Sequence, residues 1–417
     1  MGRFRAKTQT AGVIRKRFVP SLLFLSIAAL VVNGQTVAAS TEAGSCQARR
    51  VSGLPGSGQF GSEFIEAIAS DPAPRARDAN VIWGLTADLS EAVPAAERAL
   101  YISKSTDGGL TWRQVSRLDS RYFNAGIGEG LRNGLAVTPG GADFVVTTQL
   151  GAFQVLPGPD SAEPVVRPIA GPRVPHPASW LNLPKTEGDP IRAGSLQIMP
   201  NGRHMIVGFG YFDLNPQLFA YHKDKGGAWV KDGPLPHLPT EMDILSMQLA
   251  GPLGKGWLYV GTGDQAYRLD LGTKRWTRIA GVGDDSAIHG MSLVGGLHLA
   301  ACWGVYNPVS ADEVMRLTEA SFLLHRGEDE IGPEIRAYSI DVDPARHDRE
   351  VITAITGVYT SPDGGKTWRR LNALPEGEFR TAHFNADGSI LVSGVEGTFL
   401  VDPFSKACLP GLKRRAE

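Results

Sequence analysis

The octet Ser105-Thr106-Asp107-Gly108-Gly109-Leu110-Thr111-Trp112 recurs further along the chain as Ser361-Pro362-Asp363-Gly364-Gly365-Lys366-Thr367-Trp368. Both octets fit the pattern S-x-D-x-G-x-T-W. With this spacing the aspartate carboxylate can accept hydrogen bonds from backbone N–H groups of its own turn, and the glycine takes a positive φ. The tryptophan can then pack between neighbouring sheets. The octets therefore predict hairpin turns that are fastened by their own side chains.

Less regular copies of the octet lie between these two. Asp224-Lys225-Gly226-Gly227-Ala228-Trp229 keeps the spacing of aspartate, glycine and tryptophan but has alanine in place of threonine. Asp270-Leu271-Gly272-Thr273-Lys274-Arg275-Trp276 is one residue longer. Of the 417 residues, 50 are glycine, 28 are proline and 42% are hydrophobic, which is typical of many short strands joined by tight turns. The sequence thus predicts an all-β repeat architecture.

The octets resemble the Asp boxes, also called BNR repeats, of the sialidase, sortilin and photosystem-II assembly-factor propellers. Residues 338–360, continued by the second octet, resemble a complete blade of such proteins. The resemblance implies a β-propeller in which the Asp boxes lie at the periphery and fasten turns. The presence of Asp boxes alone does not imply sialidase activity for this chain.

A second periodicity marks the strand that begins each blade, as an apolar position followed by a turn and a new apolar run. It occurs at seven positions: Ile68, Val137, Ile198, Leu249, Leu293, Ile340 and Phe384. The later spacings match the roughly 40–50 residues of a four-stranded blade. We therefore predict an all-β fold, a β-propeller of seven blades with four antiparallel strands each. Six or eight blades are the alternatives, because residues 311–319 predict a helix inside blade five.

Two inserts are expected to form loops, residues 89–98 with a short helix and the proline-rich residues 156–191. Residues 47–51 are expected to supply or pair with a strand of the last blade, beside residues 398–401, so that the ring closes and buries every sheet face. An oxidising compartment permits a disulfide between Cys46 and Cys408, which would clasp the ends of the ring. Cys302, inside an apolar run, is expected to be a packing residue, with a nucleophile as the alternative.

The N-terminus predicts a secretory signal peptide. A basic region is followed by the apolar residues 22–32 and the small residues 37–40, with cleavage expected near Ala39. An uncleaved anchor is the alternative, but Pro20 and the short apolar run fall below the roughly 20 residues of a spanning helix. The expected organisation is a signal peptide at residues 1–39 and a single propeller domain at residues 40–417, periplasmic or extracellular, with no stable membrane span after cleavage.

Composition and motifs exclude several classes of protein. Lys+Arg (42) and Asp+Glu (43) nearly cancel, which argues against a dedicated nucleic-acid-binding or membrane-surface protein. The phosphate-loop, dinucleotide and nucleophile-elbow motifs do not occur in the sequence, so no cofactor is predicted. His204, His222 and His298 lack ligand spacing, so no metal site is predicted.

Ligand sites of propellers commonly lie at the central funnel, so the residues just ahead of each blade start are the candidates. The arginines among them come from four different blades: Arg132, Arg192, Arg336 and Arg380. A guanidinium is always charged and grips a carboxylate or phosphate through paired N–H donors, so these residues predict an anion-binding site. The alternative is a structural ring of ion pairs with nearby acids, namely Glu66, Glu241, Asp243 and Glu334.

Catalytic candidates are fewer. The chain lacks the Phe/Tyr-Arg-Ile-Pro motif that supplies the first arginine of sialidases. Another glycosidase or a lyase needs two carboxylates across a cleft, and Asp243 with Asp285, from adjacent blades, is the predicted pair. His289, flanked by Asp285, is the candidate base, and a hydrogen-bonded channel residue is its alternative.

The sequence therefore predicts an exported propeller that acts as a binding or scaffold module for an anionic ligand, a glycan or a protein partner at the central funnel. The resemblance to sortilin-type and assembly-factor propellers favours this function. A carbohydrate-active enzyme, either a sialidase-like glycoside hydrolase or a polysaccharide lyase, is the alternative on the ground of fold alone. A purely structural surface protein is the third.

Overall fold

In the part of the chain that the structure describes, the regular secondary structure is almost entirely β-strand. The computed structural model describes residues 46–56, 64–72, 80–88, 93–123, 134–158, 163–173, 192–211, 214–283, 286–302, 304–316 and 336–408. Within these ranges there are short 3-10 turns at Ser120–Tyr122 and Pro139–Gly141, and no α-helix. Among the same residues, none forms a helix with the length and hydropathy that a membrane crossing needs.

The strands form seven antiparallel four-stranded sheets, here called blades. Blade one contains β2 (Ile65–Ser70), β3 (Ile82–Ala87), β4 (Ala99–Ser105) and β5 (Arg113–Asp119). Blade two contains β6 (Gly134–Val137), β7 (Phe144–Thr148), β8 (Gly151–Leu156) and β9 (Val165–Ile169). Blade three contains β10 (Ala193–Ile198), β11 (His204–Tyr211), β12 (Leu214–Lys223) and β13 (Trp229–Pro234). Blade four contains β14 (Ile244–Ala250), β15 (Trp257–Thr262), β16 (Ala266–Asp270) and β17 (Arg275–Arg278). Blade five contains β18 (Ile288–Ser292), β19 (His298–Ala301), β20 (Gly304–Ser310) and β21 (Glu313–Arg316). Blade six contains β22 (Ala337–Val342), β23 (Glu350–Ala354), β24 (Gly357–Ser361) and β25 (Arg369–Arg370). Blade seven contains β26 (Phe379–Phe384), β27 (Ile390–Gly394), β28 (Gly397–Val401) and β1 (Ala48–Arg50).

The first strands of the blades contact one another in a closed cycle. β2 contacts β6, β6 contacts β10, and the succession continues through β14, β18, β22 and β26 back to β2. Because every blade has the same strand order, these innermost strands run in the same direction around a central channel. The fold is a seven-bladed β-propeller, which confirms the predicted fold class and blade number.

The hydrophobic core lies between neighbouring blades. Leu85 of blade one packs in the same cluster as Phe144 of blade two, and Ile206 of blade three in the same cluster as Leu258 of blade four. These side chains are almost completely buried. Each sheet therefore buries both faces against its neighbours, and a blade at an open end would leave one face in water.

The last blade is completed by the N-terminal strand. β1 pairs antiparallel with β28, with Ala48 opposite Val401, which confirms the predicted closure by the N-terminal segment. Cys46 and Cys408, which are 362 residues apart in sequence, form a disulfide next to this pairing. A strand pairing and a covalent bond therefore hold the same junction.

The sequence periodicity located the innermost strands well and blade five poorly. Six of the seven marked residues lie in innermost strands, and Leu293 directly follows β18. The helix expected at residues 311–319 is wrong, because residues 313–316 form β21 and pair with β20. Val314 is buried in the core of blade five while Met315 is exposed, so the residues alternate as in a strand. Pairing and burial override the local helix propensity here.

The two inserts differ from their expected structure. In the first insert, residues 93–98 form a turn without a helix, and residues 89–92 lie outside the described residues. The second insert contains β9, the outer strand of blade two, which the sequence analysis missed. Pro168 lies within β9, and an edge strand tolerates proline because its N–H does not have to serve a neighbouring strand.

Both octets form the turn between the third and fourth strands of a blade, in blade one and in blade six. The backbone N–H of Thr111 donates to Asp107 Oδ1 at 3.0 Å, and its hydroxyl donates to Oδ2 at 2.6 Å. Thr367 makes the same bonds to Asp363 at 2.8 and 2.7 Å. Burial acts to raise the pKa of Asp363, but hydrogen bonds from Thr367 and Ser361 outweigh it and lower the pKa. The carboxylate is thus held ionised inside its turn.

Serine, glycine and tryptophan complete each octet. Gly109 N donates to Ser105 Oγ at 2.8 Å, and the indole Nε1 of Trp112 donates to Gly109 O at 2.9 Å. The second octet has the same two bonds, at 2.8 and 3.0 Å. Gly365 has a φ of 76°, and a Cβ there would lie 2.1 Å from the Asn307 amide nitrogen of the preceding blade. Only glycine fits this position.

A side-chain amide of the preceding blade donates to a glycine carbonyl of the turn in blades one, three and six. The pairs are Asn385 with Gly108 (2.8 Å), Gln154 with Gly227 (2.8 Å) and Asn307 with Gly364 (2.7 Å). The tryptophans lie in the same interfaces, Trp112 beside Leu391 of blade seven and Trp368 beside Ala300 of blade five. The turns therefore fasten neighbouring blades as well as their own hairpins.

The irregular copies of the octet keep fewer of these bonds. Asp224 Oδ1 accepts from Ala228 N at 2.9 Å, and the indole N–H of Trp229 is buried without a hydrogen-bond partner among the described residues. In the longer copy, Asp270 accepts from two backbone N–H groups, and Trp276 donates to a carbonyl of another turn, that of Pro236. The missing serine and threonine explain the weaker turns.

We expect Asp107→Ala or Asp363→Ala to lower the free energy of unfolding by about 2 kcal/mol, because each removes the charged acceptor of a whole turn. Asp224→Ala is the matched control and is expected to cost about 0.5–1 kcal/mol, because that side chain accepts fewer bonds. Urea denaturation followed by tryptophan fluorescence measures all three. Equal losses in the three variants would contradict the special role of the octets.

A carboxylic acid lies wholly buried between blades five and six. The Glu350 side chain is 0% exposed, and its carboxyl oxygens have no hydrogen-bond partner among the described residues. His298 Nδ1 lies 3.6 Å from Glu350 Oε1. Burial raises the pKa of Glu350 to about 8, with the Asp363 charge adding to the shift, and burial lowers the pKa of His298. Both side chains are therefore uncharged in the folded protein at neutral pH.

This pair predicts a pH dependence of stability. Because the folded-state pKa of Glu350, about 8, lies above the ordinary 4.5, the folded protein binds the extra proton, and that contribution to stability is lost as the pH rises toward 8. Between pH 6.5 and 8 we expect wild type to lose stability relative to Glu350→Gln by up to about 1.4 kcal/mol per pH unit. Both proteins keep His298, so its titration acts on both curves, and the difference between them reports on Glu350. Urea denaturation at each pH tests this, and parallel curves for the two proteins would refute it.

Candidate functional site

The innermost strands enclose a cavity of about 500 Å³, and each of the seven blades contributes to its wall. All innermost strands begin at the same end of the channel, because the blades repeat the same strand order. This end is called the mouth below. Residues at the first positions of the innermost strands therefore form a ring around it.

A β-bulge lies at the mouth in six blades. The register of each of these innermost strands shifts by one residue after its first paired residue. The bulged residues all line the cavity: Glu66, Gly194, Leu245, His289, Tyr338 and Arg380. A bulge leaves its extra residue outside the ladder and re-aims the side chain. The mouth is thus the place where the propeller presents side chains that the sheets do not use.

Hydroxyl side chains brace the mouth across blade boundaries. Ser246 Oγ of blade four donates to the Ile288 carbonyl of blade five at 2.9 Å, and Thr381 Oγ1 of blade seven donates to the Ile65 carbonyl of blade one at 3.2 Å. In both cases the acceptor is the residue just ahead of the bulge in the next blade. The bonds hold neighbouring bulges at a fixed separation.

Arg380 lies between aromatic rings at the mouth. Its guanidinium carbon is 6.0 Å from the ring centre of Phe64 and 5.6 Å from that of Tyr338, both within cation–π range. Its Nε donates to Glu378 Oε1 at 2.5 Å. Within the described residues no further hydrogen bond to this guanidinium is present, so its terminal nitrogens can serve a ligand.

Tyr338 joins this cluster to blade five. Its ring centre is 5.9 Å from that of His289. Burial raises the pKa of Tyr338, the Glu378 charge adds to the shift, and the Arg380 charge opposes it. The phenol therefore stays neutral near pH 7, and Glu378 is a hydrogen-bond partner of its O–H.

Arg192 and Asp243 lie together beside the mouth, where they line a small cavity. Burial raises the pKa of Asp243 and the Arg192 charge opposes it, while burial lowers the pKa of Arg192 and the Asp243 charge opposes that. Asp243 Oδ1 is buried without a hydrogen-bond partner among the described residues. A Cβ at Gly210 would lie 2.8 Å from this oxygen, so glycine makes room for the carboxylate.

The remaining predicted site residues are distributed as follows. Arg336 directly precedes β22 with a φ of 41°, and its charge opposes the rise in the pKa of Tyr338, so it belongs to the same side of the mouth. Arg132 and Asp285 lie outside the described residues. The structure thus brings Arg336, Arg380 and His289 to one side of the mouth and Arg192 with Asp243 to another.

This arrangement bears on the catalytic candidates. Asp243 lines the small cavity next to a cation, and His289 lines the large cavity next to the thiol of Cys302, with Nε2 and Sγ 3.0 Å apart. The pairing of Asp243 with Asp285 stays a prediction. Further along the channel, His383 Nδ1 lies 3.6 Å from Asp341 Oδ2. Among the described residues no group of three or more His, Cys, Asp or Glu side chains is placed to hold a metal ion.

Sequence reasoning missed Phe64, Tyr338 and Glu378 as site residues. A signal for the ring was present in the innermost strands, which share an apolar residue, a variable residue, a small residue and another apolar residue. Examples are Ala337-Tyr338-Ser339-Ile340 and Phe379-Arg380-Thr381-Ala382. The variable second position is the bulge. Aligning the blades on this pattern would have identified the ring at the mouth.

A larger groove of about 620 Å³ lies at the periphery, between blades one and two. Lys104, Arg113, Arg117 and Arg121 line it together with the acids Asp119 and Glu163. The Arg121 guanidinium is held by both carboxylate oxygens of Asp119. The mouth remains the candidate site, because all seven blades converge there.

The closed ring of blades and the cavity at its centre define the class of the chain, a seven-bladed β-propeller. YCF48 from Cyanidioschyzon merolae has a similar structure, with a TM-score of 0.53, 13% identity, and coverage of 86% of this chain and 100% of that one. YCF48 bound to D1 peptide has a TM-score of 0.52 and 13% identity, with coverage of 85% of this chain and 95% of that one. The extracellular domain of the hybrid two component system BT4673 from B. thetaiotaomicron has a TM-score of 0.51 and 11% identity, with coverage of 85% of this chain and 39% of that one. At these identities the likeness is one of fold. No protein-family model and no curated protein sequence matches this chain.

Proposed function

We propose that this chain is an exported binding module whose channel mouth holds a carboxylate-bearing segment of a protein partner. The observation that carries the proposal is Arg380, whose guanidinium lies between Phe64 and Tyr338 at the edge of a cavity of about 500 Å³. Aromatic rings keep the guanidinium in place without using its hydrogen-bond donors. A carboxylate can then dock on the terminal nitrogens.

The charges around the mouth suit an extended acidic chain better than a compact anion. Arg336 and Arg380 lie on one side of the mouth, and Arg192 lies in a separate small cavity. The Ser195 hydroxyl on the cavity wall offers a further donor to a backbone carbonyl. An acidic peptide can use both kinds of contact at once.

The comparison with solved structures supports a peptide as the ligand class. One propeller of this fold is described as bound to the D1 peptide. The identity of 13% carries no binding residue over to this chain, so the support is that such a ring can hold a peptide. A glycan or a small anion is the competing ligand and is treated as an outcome of the test below.

The inference of export is supported by two features of the chain. Its N-terminal residues combine a basic region with an apolar run and small residues, as in signal peptides. Cys46 and Cys408 form a disulfide, a bond that persists in oxidising compartments. We also infer that the octets are Asp boxes of the BNR type, since their aspartate, serine, threonine and tryptophan make the turn contacts that this motif needs.

The competing explanation for the arginines is a structural ring of ion pairs. Glu378 contacts Arg380, and Asp243 lies near Arg192. The two explanations predict different effects on ligand affinity when the Glu378 charge is removed. In an anion site Glu378 competes with the ligand for Arg380, whereas in a structural ring it only neutralises a charge.

We expect a fluorescein-labelled peptide of alternating Glu and Gly to bind the full chain, with Arg380→Gln weakening the affinity at least about tenfold through loss of a charge-assisted contact. Glu378→Gln is expected to strengthen it several-fold. Fluorescence anisotropy at low and physiological salt measures both, and added salt should weaken binding.

Arg346→Gln is the matched control, because Arg346 is exposed and pairs with Asp348 in the turn after β22, at the end of that strand opposite the mouth. A Lys/Gly peptide controls for charge, and oligogalacturonate represents acidic glycans. If the acidic peptide does not bind, or if its binding is indifferent to both Arg380→Gln and Glu378→Gln, the proposal fails. Binding of oligogalacturonate in preference to the peptide would replace the peptide by a glycan as the ligand.

A further inference from the structure

A thiol and an imidazole meet at the mouth. His289 is the bulged residue of β18, and its Nε2 lies 3.0 Å from the Sγ of Cys302, which follows β19. The sequence contains three cysteines, and Cys46 and Cys408 are joined to each other, so Cys302 is the cysteine outside the disulfide. Cys302 is partly exposed rather than the buried packing residue that the sequence predicted.

The backbone holds this pair in place from both sides. Cys302 N donates to the Ala287 carbonyl at 3.1 Å, and Arg336 N of the next blade donates to the Cys302 carbonyl at 3.1 Å. The bulge turns His289 out of the ladder that joins Ile288 to Ala301 and leaves its side chain on the wall of the cavity. The contact between the two side chains is therefore built into the strand register.

We propose that Cys302 and His289 form a thiol–imidazole pair that carries out thiol–disulfide exchange with a small-molecule disulfide entering at the channel mouth. The geometry provides a base within hydrogen-bond reach of the nucleophile, which is the arrangement that activates cysteine thiols. His289 lines the cavity and Cys302 is partly exposed, so a disulfide in the channel can approach the pair. The activity does not require the acidic-peptide site, because neither partner of the pair is a ligand-binding residue of that site.

The step balances without any further reagent. His289 Nε2 accepts the proton of the Cys302 thiol, and the thiolate attacks one sulfur of the disulfide. A sulfur–sulfur bond forms to Cys302 while the bond inside the small molecule breaks. The departing thiolate takes the proton back from the imidazolium. Cys302 is oxidised to a mixed disulfide, and the departing sulfur is reduced.

An aromatic ring and charged side chains lie around the pair. The Tyr338 ring lies beside the imidazole at 5.9 Å, and the cationic side chains of Arg336 and Arg380 lie near Tyr338. Phenol and guanidinium groups are not competing bases for the thiol proton at neutral pH.

The test uses the full chain and 4,4′-dithiodipyridine, an uncharged disulfide whose released thiopyridone is followed by its absorbance. We expect native wild type to react at pH 6 at least about tenfold faster than the same chain in urea, because an unassisted thiol ionises only near pH 8.5. The pH at which the rate is half-maximal should be lower for the native chain than for the denatured chain. Cys302→Ser should abolish both the reaction and the mass adduct.

His289→Gln is the decisive variant, and we expect it to shift the pH profile back toward that of the denatured chain. His383→Gln is the matched control, since His383 also lies in an innermost strand but contacts Asp341 instead of the thiol. Coincident profiles for wild type and His289→Gln would overturn the proposal. If His289→Gln does not fold, wild type alone decides, because a native thiol slower than the denatured one is an inert packing residue.

Discussion

Closure of the ring is the constraint on which the rest of the molecule depends. Each blade has two apolar faces, and only a closed cycle covers all of them. The junction between blade seven and blade one closes the cycle, and it is held by the pairing of β1 with β28, by the disulfide of Cys46 with Cys408, and by a shared cluster that contains Ile82 and Leu391. Joining the two ends of so long a chain costs loop entropy, which these contacts offset.

The bulges convert this regular ring into a surface that can differ from blade to blade. In a regular strand the side chains alternate between the two faces of the sheet, which here are packed interfaces where apolar residues are needed. With one extra residue at the mouth, a blade can present a glycine, an acid, an imidazole, a phenol or a guanidinium without disturbing its core. Ile288 and Ala337, which precede two of these bulges, are fully buried, whereas the bulged His289 and Tyr338 are not. Stability and ligand chemistry are thereby assigned to adjacent residues of one strand.

Much of the fold was predictable from the sequence because it rests on local repeats. The octets, the spacing of the innermost strands and the closure by residues 47–51 are all properties of short segments. β9 and β21 were not predictable in this way, since proline is tolerated in β9 because it is an edge strand, and helix-forming residues in β21 are held extended by pairing with β20. For the site, charged residues near the strand starts were identified, but which of them meet depends on the bulge register and on neighbouring blades. The cluster of Phe64, Tyr338 and Arg380 combines three blades and has no signature within any one of them.

The candidate site itself spans the junction that closes the ring. Arg380 belongs to blade seven, and its aromatic neighbours Phe64 and Tyr338 belong to blade one and blade six. The Thr381 hydroxyl reaches the Ile65 carbonyl across the same boundary, and the Ile65 N–H reaches the Ser393 hydroxyl in return. The position of Phe64 relative to the guanidinium is therefore fixed by the contacts that join the first blade to the last. Loosening of that junction would separate the cation from one of its rings, so the geometry of the candidate site depends on closure of the propeller.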